Sequence, residues 1–349
     1  MNFSDYSIAK RKIDMTFFDN INKIVDWNKL EKIILKYYNK GTSVDGRPAY
    51  SGILLFKITL LQHWFKLSDE AVEERINDSI KFTKFLGLSL EDTVPDHSVI
   101  SRFRTAMSGC NANKKLLGEL NRQLMKHKII IKSGASVDAS ITQSPYVPDR
   151  PITFELANDR EEEERSQSSL TQEKEYHQKV ELKKSQGVDT EARWLKKGKK
   201  SYYGYKKHVV TNDDGMVLNV ETTSANESDT KQLKKVLSKV KLPKGTRIKT
   251  DKGYSSKENR ELLKDLKLKS GIQYKAKKNQ QLTTREKQFN KIVSKTRFVV
   301  ERTFGSIVKW FGGGVSKYKG LKKNDYQHHL EAMAYNLYRA PGLVLAKAT

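Results

Sequence analysis

The sequence predicts a mixed α/β chain, in which an all-helical N-terminal region precedes a mixed five-stranded sheet flanked by helices. Two observations lead to this prediction. Apolar residues recur at helical spacing up to about residue 130, and beyond it short β-prone runs alternate with helical segments. The chain has 349 residues, enough for two domains, so we predict a helical domain over residues 1–130 and a second domain over residues 131–349.

Helix signals dominate the first domain. The predicted helices cover residues 26–38, 53–65, 68–86 and 98–107. Ser68 is a suitable N-cap for the third of them. The last two helices and the turn between them resemble a helix-turn-helix, and Arg102 and Arg104 on the short helix are candidate DNA contacts. We therefore expect this domain to bind DNA or to mediate dimerisation.

The second domain begins with antiparallel strands and continues with alternating strands and helices. Strands are predicted at residues 135–139, 203–211, 217–223, 247–250 and 272–276, and helices at residues 226–237, 256–266, 285–311 and 324–338. This order is that of the ribonuclease-H-like architecture. Residues 144–200 are polar and interrupt the pattern, so we interpret them as an insertion. His328 and His329, on the last helix, are expected at the surface.

The charge balance indicates the kind of partner. Lys and Arg number 66 against 41 Asp and Glu, a net charge of +25 at pH 7. This excess favours nucleic acid as the partner, with an anionic membrane surface second. The apolar stretch at residues 52–65 is shorter than the roughly 20 residues of a membrane span and contains Lys57. With no secretory signal and a single cysteine, Cys110, a cytoplasmic, nucleoid-associated protein without disulfides is expected.

Three carboxylates fall where a metal-dependent phosphoryl-transfer site would need them. Asp138 and Asp251 end the first and fourth predicted strands, which lie side by side in this architecture. Glu301 lies on the flank of the apolar stripe of the helix at residues 285–311. Converging carboxylates of this kind can hold two Mg²⁺ ions about 3.5–4 Å apart and catalyse phosphoryl transfer. For each acid alone, a helix cap or a surface ion pair is the competing interpretation.

Two further residues are predicted to support this site. Arg297 lies four residues before Glu301 on the same helical flank, where it can orient that carboxylate or neutralise a phosphate. Asp229 is either an additional carboxylate near the metals or a first-turn helix residue favoured by the helix dipole.

Basic and aromatic residues near these acids are candidate DNA contacts. The candidates in the second domain are Lys206, Lys207, Lys252, Tyr254, Arg302 and Lys309. Lys206 and Lys207 follow tyrosines on the predicted hairpin, a pattern that suits a DNA backbone groove with stacking platforms and equally an ordinary exposed strand. Lys252 and Tyr254 directly follow Asp251, so they should border the metal site.

Several ordered motifs carry a resemblance to a known family. The motifs are residues 136–140 (SVDAS), 203–208 (YGYKKH), 225–229 (ANESD), 250–255 (TDKGYS) and 297–305 (RFVVERTFG). With the N-terminal segment at residues 46–104, they resemble the DDE transposases of bacterial insertion sequences, and insertion-sequence family five in particular. The resemblance extends from about residue 45 to residue 340. Where the family signature often has Tyr, this chain has Ser294.

The resemblance implies a function as well as a fold. It implies that Asp138, Asp251 and Glu301 form a catalytic triad that binds two Mg²⁺ ions, for which Mn²⁺ can substitute. It further implies cleavage of double-stranded DNA at transposon ends and strand transfer into target DNA, by a homodimer and without a covalent enzyme–DNA intermediate. Two alternatives stay open: a transposase-derived DNA-binding protein without catalysis, and a ribonuclease-H-like nuclease that cuts without joining.

Overall fold

The computed structural model describes residues 13–38, 49–148, 155–156, 180–181, 187–276 and 280–348. The described part of the chain before the sheet is helical, as predicted. Its helices are α1 (Thr16–Ile24), α2 (Trp27–Ile34), α3 (Gly52–Phe65), α4 (Asp69–Asp78), α5 (Ile80–Leu86), α6 (His97–Ser108) and α7 (Ala112–Lys126). Helix α3 is apolar on nearly every face and most of its side chains are buried, so it forms the centre of this group.

The segment at residues 68–86, predicted as one helix, forms two helices. Ser68 caps α4 as expected, because its side chain accepts a 3.1 Å hydrogen bond from the Ala71 backbone N–H. Ser79 has an extended backbone, and its side chain accepts from the N–H of Phe82 at 3.4 Å. Ser79 therefore ends α4 and caps α5, since a serine side chain competes with the helical hydrogen bond.

The helix-turn-helix predicted from the helices at residues 68–86 and 98–107 is not formed between α5 and α6. Residues 87–96 separate α5 from α6, whereas that motif joins its helices by a turn of about 3–4 residues. Arg104 is only 6% exposed; it forms an ion pair with Asp69 and lies over the ring of Tyr318. The prediction that Arg104 contacts DNA is therefore wrong, because its guanidinium is used to join α6 to other parts of the protein.

Mixed strand pairing builds the second half of the chain. The described strands are β1 (Gly134–Gln143), β2 (Glu155–Leu156), β3 (Val180–Glu181), β4 (Arg193–Lys197), β5 (Lys200–Asn212), β6 (Val217–Ser224), β7 (Arg247–Thr250) and β8 (Lys269–Ile272). Strands β2 and β3 pair only with each other. The remaining six form one sheet in the order β4–β5–β1–β7–β8, with β6 also paired to β5.

The five predicted strands form the main part of this sheet. Strand β5 pairs antiparallel with β1 and β6, whereas β7 pairs parallel with β1 and β8. The resulting order β6–β5–β1–β7–β8 agrees with the predicted ribonuclease-H-like architecture. Strand β4 is an addition, because it extends the β6 edge by pairing with residues 200–204 of β5.

The polar insertion ends earlier than predicted. Residues 193–197 and 200–204 form a β-hairpin of the main sheet, so the predicted boundary at residue 200 is wrong. The acidic run at residues 161–164 lies outside the described residues. The basic residues at 193–200 have little β-propensity, so no local pattern marks them as part of the sheet.

The last strand begins three residues before the predicted residue 272. Strand β8 pairs parallel with β7 and includes Gly271, where a Cβ atom would lie 2.7 Å from the Ile248 carbonyl oxygen. Glycine permits this close approach of two backbones. The polar residues at 269–271 concealed the strand, because they lack the β-branched or aromatic side chains that typically mark one.

In the described part of the chain, four α-helices lie after β6. They are α8 (Asp229–Ser238), α9 (Lys257–Asp265), α10 (Thr284–Phe311) and α11 (Leu321–Ala348). Helix α10 begins with a capping box between Thr283 and Glu286, and it ends at Gly312, whose φ of 69° suits glycine. None of the helices in the described ranges combines the length and the apolar content that a membrane span requires.

Helix α11 joins the helical region to the sheet. The indole N–H of Trp64 in α3 donates to the Ala334 carbonyl at 3.0 Å, and Asn336 donates to Asn121 of α7 at 2.9 Å. Most buried apolar residues of both regions form one continuous core, and Ala192, Tyr203 and Tyr205 form a small separate cluster. The sheet, and with it the predicted site, is therefore held against the N-terminal helices by extensive packing.

Candidate active site

Asp138 lies on the central strand β1, just beyond the point where the pairing of β1 with β7 ends. Strand β1 pairs with β7 only at residues 134–136, although its pairing with β5 continues to Gln143. Asp138 was expected to end the strand; instead it lies within β1, two residues beyond the last pair with β7. Its Oδ1 accepts from the Ala139 N–H at 2.9 Å. The strand thus presents a carboxylate at an edge that no other described strand covers.

Asp251 follows β7 directly, as predicted. It caps a short 3₁₀ turn (Lys252–Tyr254), and its Oδ1 accepts from the Gly253 N–H at 2.9 Å. Because β7 runs parallel to β1, the end of β7 brings Asp251 to the same side of the sheet as Asp138. One carboxylate oxygen is bound to the backbone, which fixes the orientation of the side chain.

Arg297 connects the third carboxylate to the first. Its Nη1 donates to Oδ2 of Asp138 at 2.9 Å, and its Nη2 donates to Oε1 of Glu301 at 2.8 Å. The side chain of Arg297 is 16% exposed and that of Glu301 is 57% exposed. Helix α10 thus positions both residues, one helical turn apart, with the guanidinium between two carboxylates.

These side chains share one cleft with a volume of about 530 Å³. The cleft is lined by Asp138, Ala139, Ser140, Ile141, Lys197, Tyr202, Asp251, Arg297, Glu301 and Phe304. Burial raises the pKa of Asp138 to about 6, while the charge of Arg297 acts in the opposite direction and Asp251 and Glu301 add to the rise. The cleft therefore places three carboxylates beside two cationic side chains, Arg297 and Lys197.

Hard divalent cations suit this donor set. Mg²⁺ prefers carboxylate oxygens, and the three acids of the cleft supply only such oxygens. Within the described ranges, no three His, Cys, Asp or Glu side chains lie close enough together to hold a metal ion. The guanidinium of Arg297 lies between Asp138 and Glu301. The chemistry of the three carboxylates, taken alone, is that of a hard divalent-cation site.

Tyr254 is buried near these acids and is not exposed at the surface. It is 1% exposed and its hydroxyl has no hydrogen-bond partner among the described residues. Burial raises its pKa well above the ordinary value, and the negative charges of Asp138, Asp229 and Asp251 add to the effect. The prediction of a DNA contact at Tyr254 is therefore wrong.

Lys206 and Lys207 are buried as well. Lys206 is 7% exposed and donates to Asp229 at 2.9 Å, and Lys207 is 2% exposed and donates to Glu331 at 2.7 Å. Both predictions of DNA contact are wrong, because helices cover both faces of β5 and each lysine is paired inside the protein. Asp229, predicted to support the site, has Lys206 as its direct partner.

The other candidate DNA contacts are exposed. Arg102, Lys252, Arg302 and Lys309 all have side chains open to solvent. Lys252 lies next to Asp251, and Arg302 follows Glu301. For these four residues, DNA contact stays a prediction.

Sequence reasoning did not assign two residues of the β4–β5 hairpin to the cleft, although the tyrosines before Lys206 are candidate stacking platforms. Lys197 on β4 and Tyr202 on β5 line the cleft. The hairpin is held by Asp189, which is 2% exposed and accepts from the Tyr205 hydroxyl at 2.8 Å. Asp189 and Lys197 fall in the segment interpreted as a solvated insertion. The role of Asp189 depends on its contacts with Tyr205 and Gly320, and that of Lys197 on the cleft that it lines.

His328 and His329, expected at the surface, are buried. His328 bonds Thr142 of β1 at 3.0 Å and Thr222 of β6 at 2.9 Å. Burial lowers the pKa of His328 well below its usual value. The face of α11 that carries His328 packs on the sheet, so this histidine is buried and not exposed as expected.

The ribonuclease-H-like sheet, with three acidic side chains lining one cleft at its centre, defines a DDE-type enzyme. Comparison with known proteins agrees. A transposase domain (DUF772) matches residues 7–106, and a transposase DDE domain matches residues 166–337. The transposase for insertion sequence element IS1106 of Neisseria meningitidis serogroup B is 35% identical over 250 residues, covering 71% of this chain and 80% of that protein.

The chain belongs to the DDE transposases of bacterial insertion sequences. Enzymes with this domain depend on divalent metal ions. The assignment to insertion-sequence family five stays a prediction. A piggyBac transposase synaptic complex with hairpin DNA, determined by cryo-electron microscopy, has a TM-score of 0.35 and 12% identity, covering 96% of this chain and 80% of that one. The fold assignment rests on the strand order.

Proposed function

We propose that this transposase cleaves DNA at the ends of its insertion sequence and joins the freed 3′ ends to target DNA. Asp138, Asp251 and Glu301 would hold two Mg²⁺ ions, and Mn²⁺ would substitute. The observation that carries the proposal is that these three carboxylates, from a strand edge, a strand end and a helix, line one cleft. An enzyme that binds both transposon ends at once is expected to act as a dimer.

The bound ions would neutralise the scissile phosphate and promote attack by an oxygen nucleophile. In cleavage, a water oxygen attacks the phosphorus and the bond to the 3′ oxygen breaks, so that a 3′ hydroxyl is left. In joining, this hydroxyl attacks a target phosphate and displaces the 3′ oxygen of the target strand. Neither step needs a covalent bond to the protein.

The residues of the cleft have distinct tasks. The backbone bonds of Asp138 and Asp251 fix one oxygen of each carboxylate. The other oxygen of Asp138 accepts from Arg297, so this ion pair would have to open for that oxygen to bind a metal. Arg297 keeps the acids together before DNA binds, and after metal binding its guanidinium can pair with a phosphate. Lys197 and Tyr202 form the wall of the cleft, where a cation and an aromatic ring suit a DNA strand.

A cleavage and joining assay tests this proposal. Wild type and Asp251→Asn would be incubated with Mg²⁺ and a labelled duplex that carries the end of the element. Cleavage and joining by wild type alone would support the proposal. Cleavage without joining of a pre-cut end would indicate a nuclease instead. Binding of the correct end without chemistry in Mg²⁺ or Mn²⁺ would indicate a DNA-binding protein.

A further inference from the structure

Helix α10 carries the acidic Glu301 beside the cleft. On another, exposed face it carries a row of basic side chains. The row consists of Lys287, Lys291, Lys295, Arg302 and Lys309. At about 100° per residue these five side chains fall within an arc of about 80°, and at 1.5 Å per residue they span about 33 Å. We call this feature the α10 basic row.

The charge of the row is not neutralised within the described part of the chain. All five side chains are exposed, and the ion pairs described for α10 involve Arg297 alone. The helix has two acidic residues, Glu286 and Glu301. By the same rotation they lie about 140° and about 80° from the middle of the row. The row therefore presents five positive charges on a surface free of carboxylates from its own helix.

A groove of about 640 Å³ between α10 and α11 extends the positive surface at its C-terminal end. Arg302 and Lys309 line it together with Arg339, whose Nη1 donates to the Asp214 carbonyl at 2.7 Å. Lys66, which directly follows α3, donates to the Lys309 carbonyl at 2.8 Å and brings another positive charge to this end. Two further basic side chains thus lie beside the row.

The row matches the backbone of duplex DNA in charge and length. One turn of duplex is about 34–36 Å long, close to the span of the row. Four of the five side chains are lysines, flexible point charges that suit phosphates, and phosphate contacts carry no sequence information. The expected partner is therefore a duplex that binds without a sequence requirement.

We infer that the α10 basic row docks the target duplex. This inference rests on the proposed joining reaction, in which a second duplex must reach the cleft. A transposon end has to be recognised by its sequence, whereas a row of lysines accepts any sequence. Glu301 lies about 80° around the same helix, so a duplex on the row lies next to the cleft.

The test separates joining from cleavage. The row variant is the triple substitution Lys287→Gln, Lys291→Gln and Lys295→Gln. The control is Lys231→Gln, Lys234→Gln and Lys235→Gln, which removes three exposed lysines from α8. Glutamine keeps the helix propensity of lysine, so both variants should fold. Each protein would be given an uncut end and, separately, a pre-cut end with target plasmid.

The row variant should join the pre-cut end at least tenfold more slowly than wild type and cleave the uncut end within twofold of it. The control should match wild type in both reactions. Unchanged joining by the row variant would overturn the inference. An equal loss of cleavage and joining would also overturn it, because the row would then hold the transposon end.

A binding measurement keeps the test independent of the proposed function. Affinity for a 30-base-pair duplex of arbitrary sequence would be measured in EDTA at several salt concentrations. Each lost phosphate contact reduces the magnitude of the slope of log affinity against log salt concentration by about 0.9. The row variant lacks three lysines, so its slope should be about 2.7 smaller in magnitude than that of wild type. If wild type never joins DNA, the proposed function fails, while the slope still decides whether the row binds duplex. An unchanged slope would contradict the inference.

Discussion

Arg297 on α10 donates a 2.9 Å hydrogen bond to Asp138 on β1, so a guanidinium lies against the most buried carboxylate of the cleft. The same side chain binds Glu301. A positive charge between like-charged acids holds them together in the absence of metal. The same charge competes with any divalent cation for the carboxylate oxygens.

Removing this guanidinium should strengthen metal binding. We expect Arg297→Gln to bind Mn²⁺ at least threefold more tightly than wild type without DNA, because a competing positive charge is lost from the cleft. The measurement is a Mn²⁺ titration followed by electron paramagnetic resonance. Arg302→Gln is the matched control, since its side chain is exposed on the same helix and does not contact the acids. Weaker or equal Mn²⁺ binding by Arg297→Gln would contradict this account.

Lys207 and Glu331 form a buried ion pair whose disruption should be costly. The pair is 2.7 Å long and both side chains are at most 2% exposed. Glu331→Gln leaves a buried lysine without a charged partner, so we expect a loss of about 3–5 kcal/mol in the free energy of unfolding. Urea denaturation would measure it, with Glu261→Gln as the control.

Glu261 pairs with Lys257 on the surface of α9 at 3.8 Å, with both side chains more than half exposed. Its substitution should change stability by less than about 0.5 kcal/mol. If both variants lost a similar amount of unfolding free energy, the Lys207–Glu331 pair would not stabilise the fold. Lys207 would then again be a candidate DNA contact.

The Tyr254 hydroxyl should be dispensable for folding. It is buried without a partner among the described residues, so we expect Tyr254→Phe to keep or raise stability, by up to about 1 kcal/mol. Tyr205→Phe is the contrasting variant, because the Tyr205 hydroxyl donates to the buried Asp189. That variant should lose about 1–3 kcal/mol. Thermal unfolding of both proteins checks the prediction, and a large loss in Tyr254→Phe would refute it.

Acidic pH should destabilise the fold through buried histidines. Burial, aided by the charge of Lys317, lowers the pKa of His63 from 6.5 to about 3. Between these values the unfolded chain binds a proton that the folded chain does not, so His63 removes stability as pH falls below 6.5. The raised pKa of Asp138 acts in the opposite direction between about pH 6 and 3.8. Comparison with a histidine variant isolates the contribution of His63.

In His63→Leu, stability should therefore depend less on pH. Between pH 6 and pH 5 the variant should lose about 1 kcal/mol less than wild type, close to the limit of about 1.4 kcal/mol per pH unit for one group. Chemical denaturation at the two pH values gives both losses. If wild type and His63→Leu lost the same unfolding free energy between pH 6 and pH 5, His63 would not contribute to the pH dependence of stability.

The carboxylates could be predicted from sequence because each has a local signal. Asp251 directly follows a β-prone run, and Glu301 flanks an apolar stripe of helical period. The strand order then places β7, which precedes Asp251, beside β1, which carries Asp138. These signals lie within a few residues of each acid, so one sequence was enough to place all three near one cleft.

The lysines of β5 could not be predicted in the same way. Helices cover both faces of this strand, so polar residues alternate with apolar ones only weakly. Lys207 is buried because Glu331, 124 residues later, provides its countercharge. Lys206 likewise depends on Asp229. Pairings at such separations follow from the fold and leave no local pattern.

The central claim is that Asp138, Asp251 and Glu301 hold the catalytic metal ions, and a change of ligand tests it most directly. Asp251→Cys, made in a Cys110→Ala background, replaces a carboxylate by a thiolate, which binds Mg²⁺ poorly and softer cations better. We predict no cleavage of the end duplex in Mg²⁺ and partial recovery in Mn²⁺, with the background protein active in both ions. Cleavage in Mg²⁺ at the background rate would contradict a metal-binding role for Asp251.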